Sequence, residues 1–372
     1  MTRGKVCVVS SYAYIERYVN YGSLLQYYAL EKTLKEMNCD PYWLRYILPK
    51  EGLSITQLLK KNIRNTLDWK NVHRKYVLLQ SFQTFVKNRL TVSERIYNNY
   101  DELINLEPPA DAYIAGSDQV WGGTLDANYL CFVRLDVPRI AYAASFGKKV
   151  IPDEQIRIVE PWIRKFTSVS VREKSGVELC KSMGVKAEHV VDPTLLLDDN
   201  EYPSDNKKAV KYGKYIFGYF LNINTQRDLP LNEFECFAEK NNRNFICAGA
   251  VSKIDKFIKQ NRLDYFTPEE WIGMYKNAEF IFTNTFHGTV FSIIFHKPFL
   301  VFLQSDETEK QNERIYSLLE QFGLLSMIYN KFQPLEEQIS QNIDWYSVDN
   351  IRENKKKMSI QFLDKALYKL LN

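Results

Sequence analysis

Short apolar runs alternate with amphipathic stretches through most of the chain. KVCVVSS near the start reads as a buried strand, GSLLQYYALEKTLKEMN repeats its apolar residues at helical spacing, and DPYWLRYI reads as the next strand. The beat resumes at ADAYIAG and RIAYAAS, both strands, followed by a predicted helix over 153–165. SVSVRE, EKSGVELCKSMG and EHVVDP continue it as strand, helix and strand. A polar, lysine-rich stretch near 200–214 breaks the pattern, as a linker does. The rhythm then restarts with KYIFGYFL as a strand, NEFECFAEKN as a helix and RNFICAGA as a strand. TPEEWIGMYKNA opens on Thr–Pro with two carboxylates in its first turn, which predicts a capped helix. EFIFTNTFHGTVFSIIFHKPFLVF follows as strand, loop, helix and strand.

Strands separated by crossover helices predict parallel sheets covered on both faces. The fold class expected is α/β, with two Rossmann-like domains facing across a cleft in a GT-B-like arrangement. Residues 1–205 form the expected first domain, 206–345 the second, and 346–372 a terminal helix folding back on the first. One segment stands outside the alternation. Residues 54–96 predict a mostly helical insertion carrying Lys60, Lys61, Arg64, Lys70, Arg74, Lys75, Lys87 and Arg89. Its ordinary reading is a solvated face; a basic amphipathic surface on anionic lipid is the other.

Composition narrows the classes. The 372 residues are 45% hydrophobic and 25% charged, as in a globular protein, and the net charge of +4 is too mild for wholesale nucleic-acid binding. Six scattered cysteines without a CxxC pair read as reduced, packed thiols, and four histidines without a HExxH pair predict no metal site. The first residues run directly into a strand and no window reaches membrane-span length, so a cytoplasmic protein is expected. Peripheral contact with the inner face of the cytoplasmic membrane is a second expectation.

The candidate chemistry gathers at strand ends. In Phe280–Phe302, a polar turn ends at His287 and Gly288 opens a helix. Free N–H groups and the positive helix end there suit an anion, and His287 could hold a phosphate or move a proton. Thr285, Phe286, Gly288 and Thr289 share that turn. NYGSLLQYYAL (20–30) places a polar turn at the first strand–helix junction, YIAGSDQVW (113–121) ends a strand at Ser117 and Asp118, and SVSVREKSG (168–176) ends one at Arg172 and Glu173, with HVVDPTLLL soon after.

These segments in this order, running from Asn20 to RIYSLLEQFGL at Arg314, resemble the polysaccharide pyruvyl transferase family. The resemblance implies a GT-B-like fold and transfer of a pyruvyl group from phosphoenolpyruvate to a glycan, usually as a cyclic ketal, with release of phosphate. It implies phosphoenolpyruvate as co-substrate with no further cofactor, and an acceptor hexose that family habit places on a bacterial surface glycan or its undecaprenyl-diphosphate-linked precursor. Arg172 matches a donor-binding arginine. The chain departs from the family at Thr285, where many members carry an arginine; Arg314 is the candidate for that second cation. His287 is the expected proton donor and phosphate ligand, and Asp118 the expected base, although Asp118 is equally readable as a turn cap. Asn20, Tyr21, Gly22, Ser23, Gln26, Ser117, Gln119 and Trp121 are the expected acceptor side, with Gly22 also explicable by the turn alone. A GT-B-type glycosyltransferase using a nucleotide sugar is the alternative.

Overall fold

The computed structural model describes residues 3–49, 69–134, 136–223, 229–250 and 253–368. Seven parallel strands form the first sheet: β1 (Lys5–Val9), β2 (Asp40–Tyr46), β3 (Val92–Tyr97), β4 (Ala112–Ala115), β5 (Arg139–Ala144), β6 (Ser168–Val171) and β7 (Glu188–His189). Their spatial order is β3-β2-β1-β4-β5-β6-β7. The second sheet holds β8 (Tyr215–Tyr219), β9 (Asn244–Ala248), β10 (Leu263–Asp264), β11 (Phe280–Thr283) and β12 (Phe299–Val301) in the order β10-β9-β8-β11-β12, again parallel. Central strands such as AYIA, RIAYAA and FIFT are buried at every position because helices cover both faces.

Both sheets reverse their winding once, between β1 and β4 and between β8 and β11. At such a point the loops leaving the two strands diverge and open a crevice at the carboxyl edge. This double switch positions the site.

Helix α1 (Tyr12–Arg17) and helix α2 (Tyr21–Glu36) follow β1, and α3 (Trp69–Arg89) connects β2 to β3. The expected insertion over 54–96 is therefore corrected in its described part; residues 51–68 lie outside the described residues. Helix α3 buries Leu78, Phe82 and Phe85, and β3 pairs with β2 at Trp43↔Val92 and Tyr46↔Tyr97. The segment is the sheet's own crossover. Strand β3 escaped the pattern because it is an edge strand whose middle, Glu94 to Ile96, is exposed. Part of the basic character is internal to the fold: Arg89 pairs with Glu269 at 3.1 Å, and Arg74 lies over the Tyr265 ring. Lys60, Lys61 and Arg64 lie outside the described residues.

Four helices flank the rest of the first sheet and the connection: α4 (Tyr100–Asn105), α5 (Asp153–Ile163), α6 (Lys174–Ser182) and α7 (Lys207–Tyr212). The second sheet carries α8 (Leu231–Lys240), α9 (Pro268–Asn277), α10 (Phe286–Ile294), α11 (Glu313–Phe322) and α12 (Leu335–Ile339), and α13 (Trp345–Leu367) ends the chain. The polar stretch 200–214 is more structured than its composition suggests, since α7 lies within it and packs on α9. Helix α9 has the expected Thr267 cap, completed by Glu270 into a capping box.

The domains share one hydrophobic cluster. Tyr21 of α2 stacks on Trp271 of α9 at 4.8 Å between centroids, and its hydroxyl donates to the Phe266 carbonyl at 2.7 Å. Helix α13 bridges as well: the Val191 N–H donates to Ser359 Oγ at 3.1 Å on the first domain's side, while Asp349 meets His296 of the second at 2.8 Å. These contacts hold the two carboxyl edges face to face.

Candidate active site

The residues that follow β1, β4, β6, β7, β8 and β11 converge at the facing switch points. A cleft of about 280 Å³ lies there, lined by Asn20, Ser23, Asp118 and Gln119 from the first domain and by Thr285, Phe286, His287 and Arg314 from the second. Tyr219, Leu221, Asn222, Gln304 and Gln311 complete the second domain's wall.

The β4 loop turns sharply because its glycine permits it. Gly116 has φ +124°, and a Cβ there would meet the Tyr142 carbonyl at 2.1 Å. Asp118, at φ +70°, adopts a conformation that short polar side chains tolerate. Gln26 supports this loop from below: its Oε1 accepts from the Ser117 N–H at 3.2 Å, and its Nε2 donates to Ser10 Oγ at 2.9 Å. Ser23 donates its hydroxyl to Asp118 Oδ2 at 2.9 Å.

On the opposite edge, Thr285 caps α10 by accepting from the Gly288 N–H at 2.9 Å. Thr283 Oγ1 lies 3.0 Å from Thr285 Oγ1 and donates to the Tyr219 carbonyl at 2.7 Å. The Asn284 amide bonds both backbone groups of Leu221, at 2.8 and 2.7 Å, and so ties the β8 and β11 loops together. With Gly288 engaged by the cap, the earlier first-turn amides of Phe286 and His287 have no partner inside the helix, as at any helix start. His287 lies across the domain boundary against α2: a Cβ on Gly22 would fall 2.0 Å from its Nδ1.

Behind the cleft lies a buried charge network centred on Arg172. Its Nη1 is 2.7 Å from Asp192 and 3.8 Å from Asp118, its Nε is 3.0 Å from Glu173, and its guanidinium covers the Phe286 ring at 4.1 Å. Among the described residues Arg172 Nη2 is buried without a hydrogen-bond partner. Asp192 also accepts from the Thr194 hydroxyl at 2.6 Å and lies 3.7 Å from His287 Nε2, within ion-pair reach but too far for a hydrogen bond. Burial would raise the Asp192 carboxyl, but His287, Arg172 and the Thr194 hydroxyl hold it far below its ordinary value. Asp118 follows the same logic. Burial opposes its charge, and Arg172, His287 and Arg314 still bring it below the usual carboxylate range. Arg172 moves the other way: burial works against it, and Glu173, Asp192 and Asp118 keep it firmly protonated.

Arg314 differs from Arg172. Among the described residues it bonds only to Gln311, at 3.1 Å to Oε1 and 3.4 Å to the carbonyl, and forms no ion pair with a carboxylate. Burial and the nearby Arg172 charge lower it to about 10, against the opposing pull of Asp118, Glu173 and Asp192. An anion entering the cleft would pair with it.

The expected site residues therefore divide. His287, Asp118, Arg314, Thr285, Phe286, Asn20, Ser23 and Gln119 line the cleft. Arg172, Ser117, Gln26 and Gly22 stand directly behind it and position others. Gly288 and Thr289 are fully committed to the helix, with Thr289 Oγ1 donating to the Thr285 carbonyl at 2.9 Å. Two acceptor-side expectations are not supported by their placement. Trp121 is fully buried and stacked on Tyr129 at 5.7 Å, and Tyr21 is equally buried against Trp271, so neither ring offers a face to a sugar. Asp192 was the omission. Its place after β7 before Pro193 reads locally as a cap, and only the fold brings it to Arg172 and His287.

Among the described residues no three His, Cys, Asp or Glu side chains group so as to hold a metal ion, and no helix is long and apolar enough to cross a membrane.

Comparison with solved structures agrees on architecture. The chain is similar to a UDP-N-acetylglucosamine 2-epimerase from Rickettsia bellii (TM-score 0.54, 11% identity, 98% of this chain and 96% of that one). It is similar to Arabidopsis thaliana UGT89C1 (TM-score 0.52, 10% identity, 99% of both chains) and to the spinosyn forosaminyltransferase SpnP (TM-score 0.55, 8% identity, 99% and 100%). At these identities the likeness is one of fold, and the fold is GT-B: two Rossmann-like domains across a cleft. No curated protein matches the chain. The family model for polysaccharide pyruvyl transferase matches residues 20–306, a span that begins at the α2 cap and takes in Asp118, Arg172, Asp192 and His287. By that match over most of its length, the chain belongs to the polysaccharide pyruvyl transferase family.

Proposed function

We propose that the protein transfers the pyruvyl group of phosphoenolpyruvate to a hexose of a bacterial surface glycan or its lipid-linked precursor, forming a cyclic ketal and releasing phosphate. The observation that carries the donor reading is Arg314, a half-buried cation with no described carboxylate in ion-pair contact, set in the cleft with His287 and the start of α10. Phosphoenolpyruvate brings a phosphate and a carboxylate to such a place, and each charge-assisted hydrogen bond contributes about 1.5–3 kcal/mol. Thr285 supplies a cap where other members supply charge, and Arg314 reaches the same cleft from α11.

The reaction needs a proton on the methylene carbon, which leaves a cationic centre at the second carbon. A sugar hydroxyl adds there and loses its proton, the C–O bond to phosphate breaks, and a second hydroxyl closes the ring. His287 is assigned the donor proton and the phosphate. Asp118, held ionised, is assigned the acceptor hydroxyl, as hydrogen-bond acceptor and as a negative charge facing the cationic centre; its lowered pKa makes it a modest base. Arg172 keeps both in place through Asp192 and Phe286.

A lipid-linked acceptor would bring the enzyme to a membrane surface. Helix α3 exposes Trp69, Val72 and Tyr76 along one face beside Lys70, which suits that role. Co-sedimentation with anionic vesicles at low salt, lost on Trp69→Asp, tests this part; indifference to vesicles removes it.

Thermal unfolding with phosphoenolpyruvate and with a panel of nucleotide sugars tests the donor. A ligand of the folded state raises the midpoint by mass action. The expected result is a shift with phosphoenolpyruvate alone; a shift confined to a nucleotide sugar would favour glycosyl transfer instead.

A further inference from the structure

The carboxylate of Asp192 is held in one orientation. Thr194 occupies Oδ1 with both its backbone N–H, at 3.0 Å, and its hydroxyl, at 2.6 Å. Pro193 stiffens the turn between them, and the Tyr202 hydroxyl anchors it by donating to the Thr194 carbonyl at 2.6 Å. Oδ2 is therefore the oxygen that faces the site. It meets Arg172 Nη1 at 2.7 Å, the Ser117 hydroxyl at 3.4 Å and His287 Nε2 at 3.7 Å.

The two ring nitrogens of His287 stand in different surroundings. Nε2 is buried on the Asp192 side and has no hydrogen-bond partner among the described residues. A ring turned over would set a carbon against this carboxylate, which only accepts, so a nitrogen belongs there. Nδ1 lies at the start of α2, 2.0 Å from where a Cβ on Gly22 would be. Because Gly22 has none, that nitrogen is left uncovered near Asn20 and Ser23, which line the cleft together with His287. Nδ1 is the nitrogen placed to meet a ligand.

We propose that Asp192 is a positioning residue for His287, keeping the inner ring proton on Nε2 and making Nδ1 the nitrogen that delivers a proton to the donor. This assignment deepens the pyruvyl-transfer reading and rests on it for the proton's target. A carboxylate facing Nε2 favours a hydrogen there over a lone pair, and the bond made at one ring nitrogen sets the role of the other. A shift of less than about 1 Å would turn the 3.7 Å approach into a hydrogen bond. In the doubly protonated ring, Nδ1–H gives its proton to the methylene carbon. The double-bond pair forms the new C–H bond, and the N–H pair stays on Nδ1. The positive charge passes to the second carbon of the donor. The ring is left neutral with its remaining proton on Nε2, the tautomer that Asp192 supports.

Long-range 1H–15N correlation on the full chain, labelled at its four histidines, reads the tautomer directly. His287 is assigned by comparison with His287→Gln. Expected in the wild type, at a pH where the ring is neutral, is a single tautomer protonated on Nε2. Asp192→Asn should move the neutral ring to a mixture or to the Nδ1–H form, and lower kcat about a hundredfold. Glu173→Gln removes the 3.0 Å contact of Glu173 with Arg172 without touching His287, and should leave the tautomer as in the wild type. A neutral wild-type ring protonated on Nδ1 overturns the assignment, and that spectrum needs no variant at Asp192 to fold. So does a tautomer that Asp192→Asn leaves unchanged. The expected tautomers in a protein without phosphoenolpyruvate-dependent turnover would defeat the donor reading and leave the pairing of Asp192 with His287 standing.

Discussion

The imidazole of His287 fills the space that a side chain at position 22 would need: a Cβ on Gly22 would lie 2.0 Å from its Nδ1, 2.4 Å from Cγ and 2.8 Å from Cε1. Gly22 has no left-handed φ, so its conformation does not call for glycine. In the first turn of α2, alanine would even be favoured by propensity. The absent side chain is explained by the histidine, which crosses the domain boundary to reach it.

Gly22→Ala should therefore act through His287. Turnover is expected to fall about a hundredfold, near the low end of what a positioned general acid contributes. His287→Ala should lower turnover about a thousandfold or more, still within reach of a long assay, with the unfolding midpoint nearly unchanged. The double variant should be no worse than His287→Ala alone, because coupled residues depart from additivity. Additive losses in kcat would show that Gly22 serves the turn and that His287 does not depend on it.

Asp192 holds Arg172 at 2.7 Å while lying 3.7 Å from His287, so its replacement should touch both stability and chemistry. Removing one partner of a buried ion pair costs about 3–5 kcal/mol, and the remaining contact of Arg172 with Glu173 places Asp192→Asn toward the lower figure. Urea unfolding at neutral pH measures that loss. A stability change below about 0.5 kcal/mol, the level of an ordinary surface substitution, would mean the network is slack.

The alternation of apolar runs was enough to foretell both sheets, and strands such as RIAYAA and FIFT carried that signal because every position is buried. Strand β3 was hidden by its exposed middle, and with it the fact that α3 is a crossover. At the site, His287 and Asp118 were legible because a polar residue just beyond a buried strand has few structural reasons to be there. Asp192 sits at an equally ordinary cap, and its importance arises from residues 20 and 95 positions away, Arg172 and His287. Trp121 misled in the opposite sense: a tryptophan beside a polar turn suggests a sugar platform, but Tyr129 and the α5 core claim the ring.

Arg172 and Arg314 make opposite predictions although both are cations near the donor site. Arg172 is 4% exposed and surrounded by three carboxylates, so Arg172→Ala should chiefly destabilise the protein by leaving those charges uncompensated. Arg314 feels the same carboxylates only at a distance and makes no ion pair with a described one, so Arg314→Ala should cost less stability than Arg172→Ala and weaken phosphoenolpyruvate binding roughly ten- to a hundredfold. Calorimetric titration on both variants separates them. Unchanged donor affinity in Arg314→Ala would remove it from the donor site.

The depressed carboxyls also set the acid limit of stability. For Asp118 and Asp192 the folded-state pKa lies below the unfolded value of about 3.9. The unfolded chain then binds more protons as pH falls, so both carboxylates stabilise the fold fully above that value and lose their contribution as pH drops toward the folded pKa. Urea midpoints should accordingly fall most steeply below pH 4, beneath a shallower loss that buried His189, whose pKa is lowered by burial, adds as pH drops through about 6.5. Asp118→Asn removes one of the two titrating groups without breaking the 2.7 Å contact between Arg172 and Asp192. Its midpoint should therefore decline more gently between pH 4 and pH 3 than that of the wild type, by the share that Asp118 contributes. Parallel declines would mean that other carboxylates govern acid unfolding and that the charge of Asp118 is retained for chemistry alone.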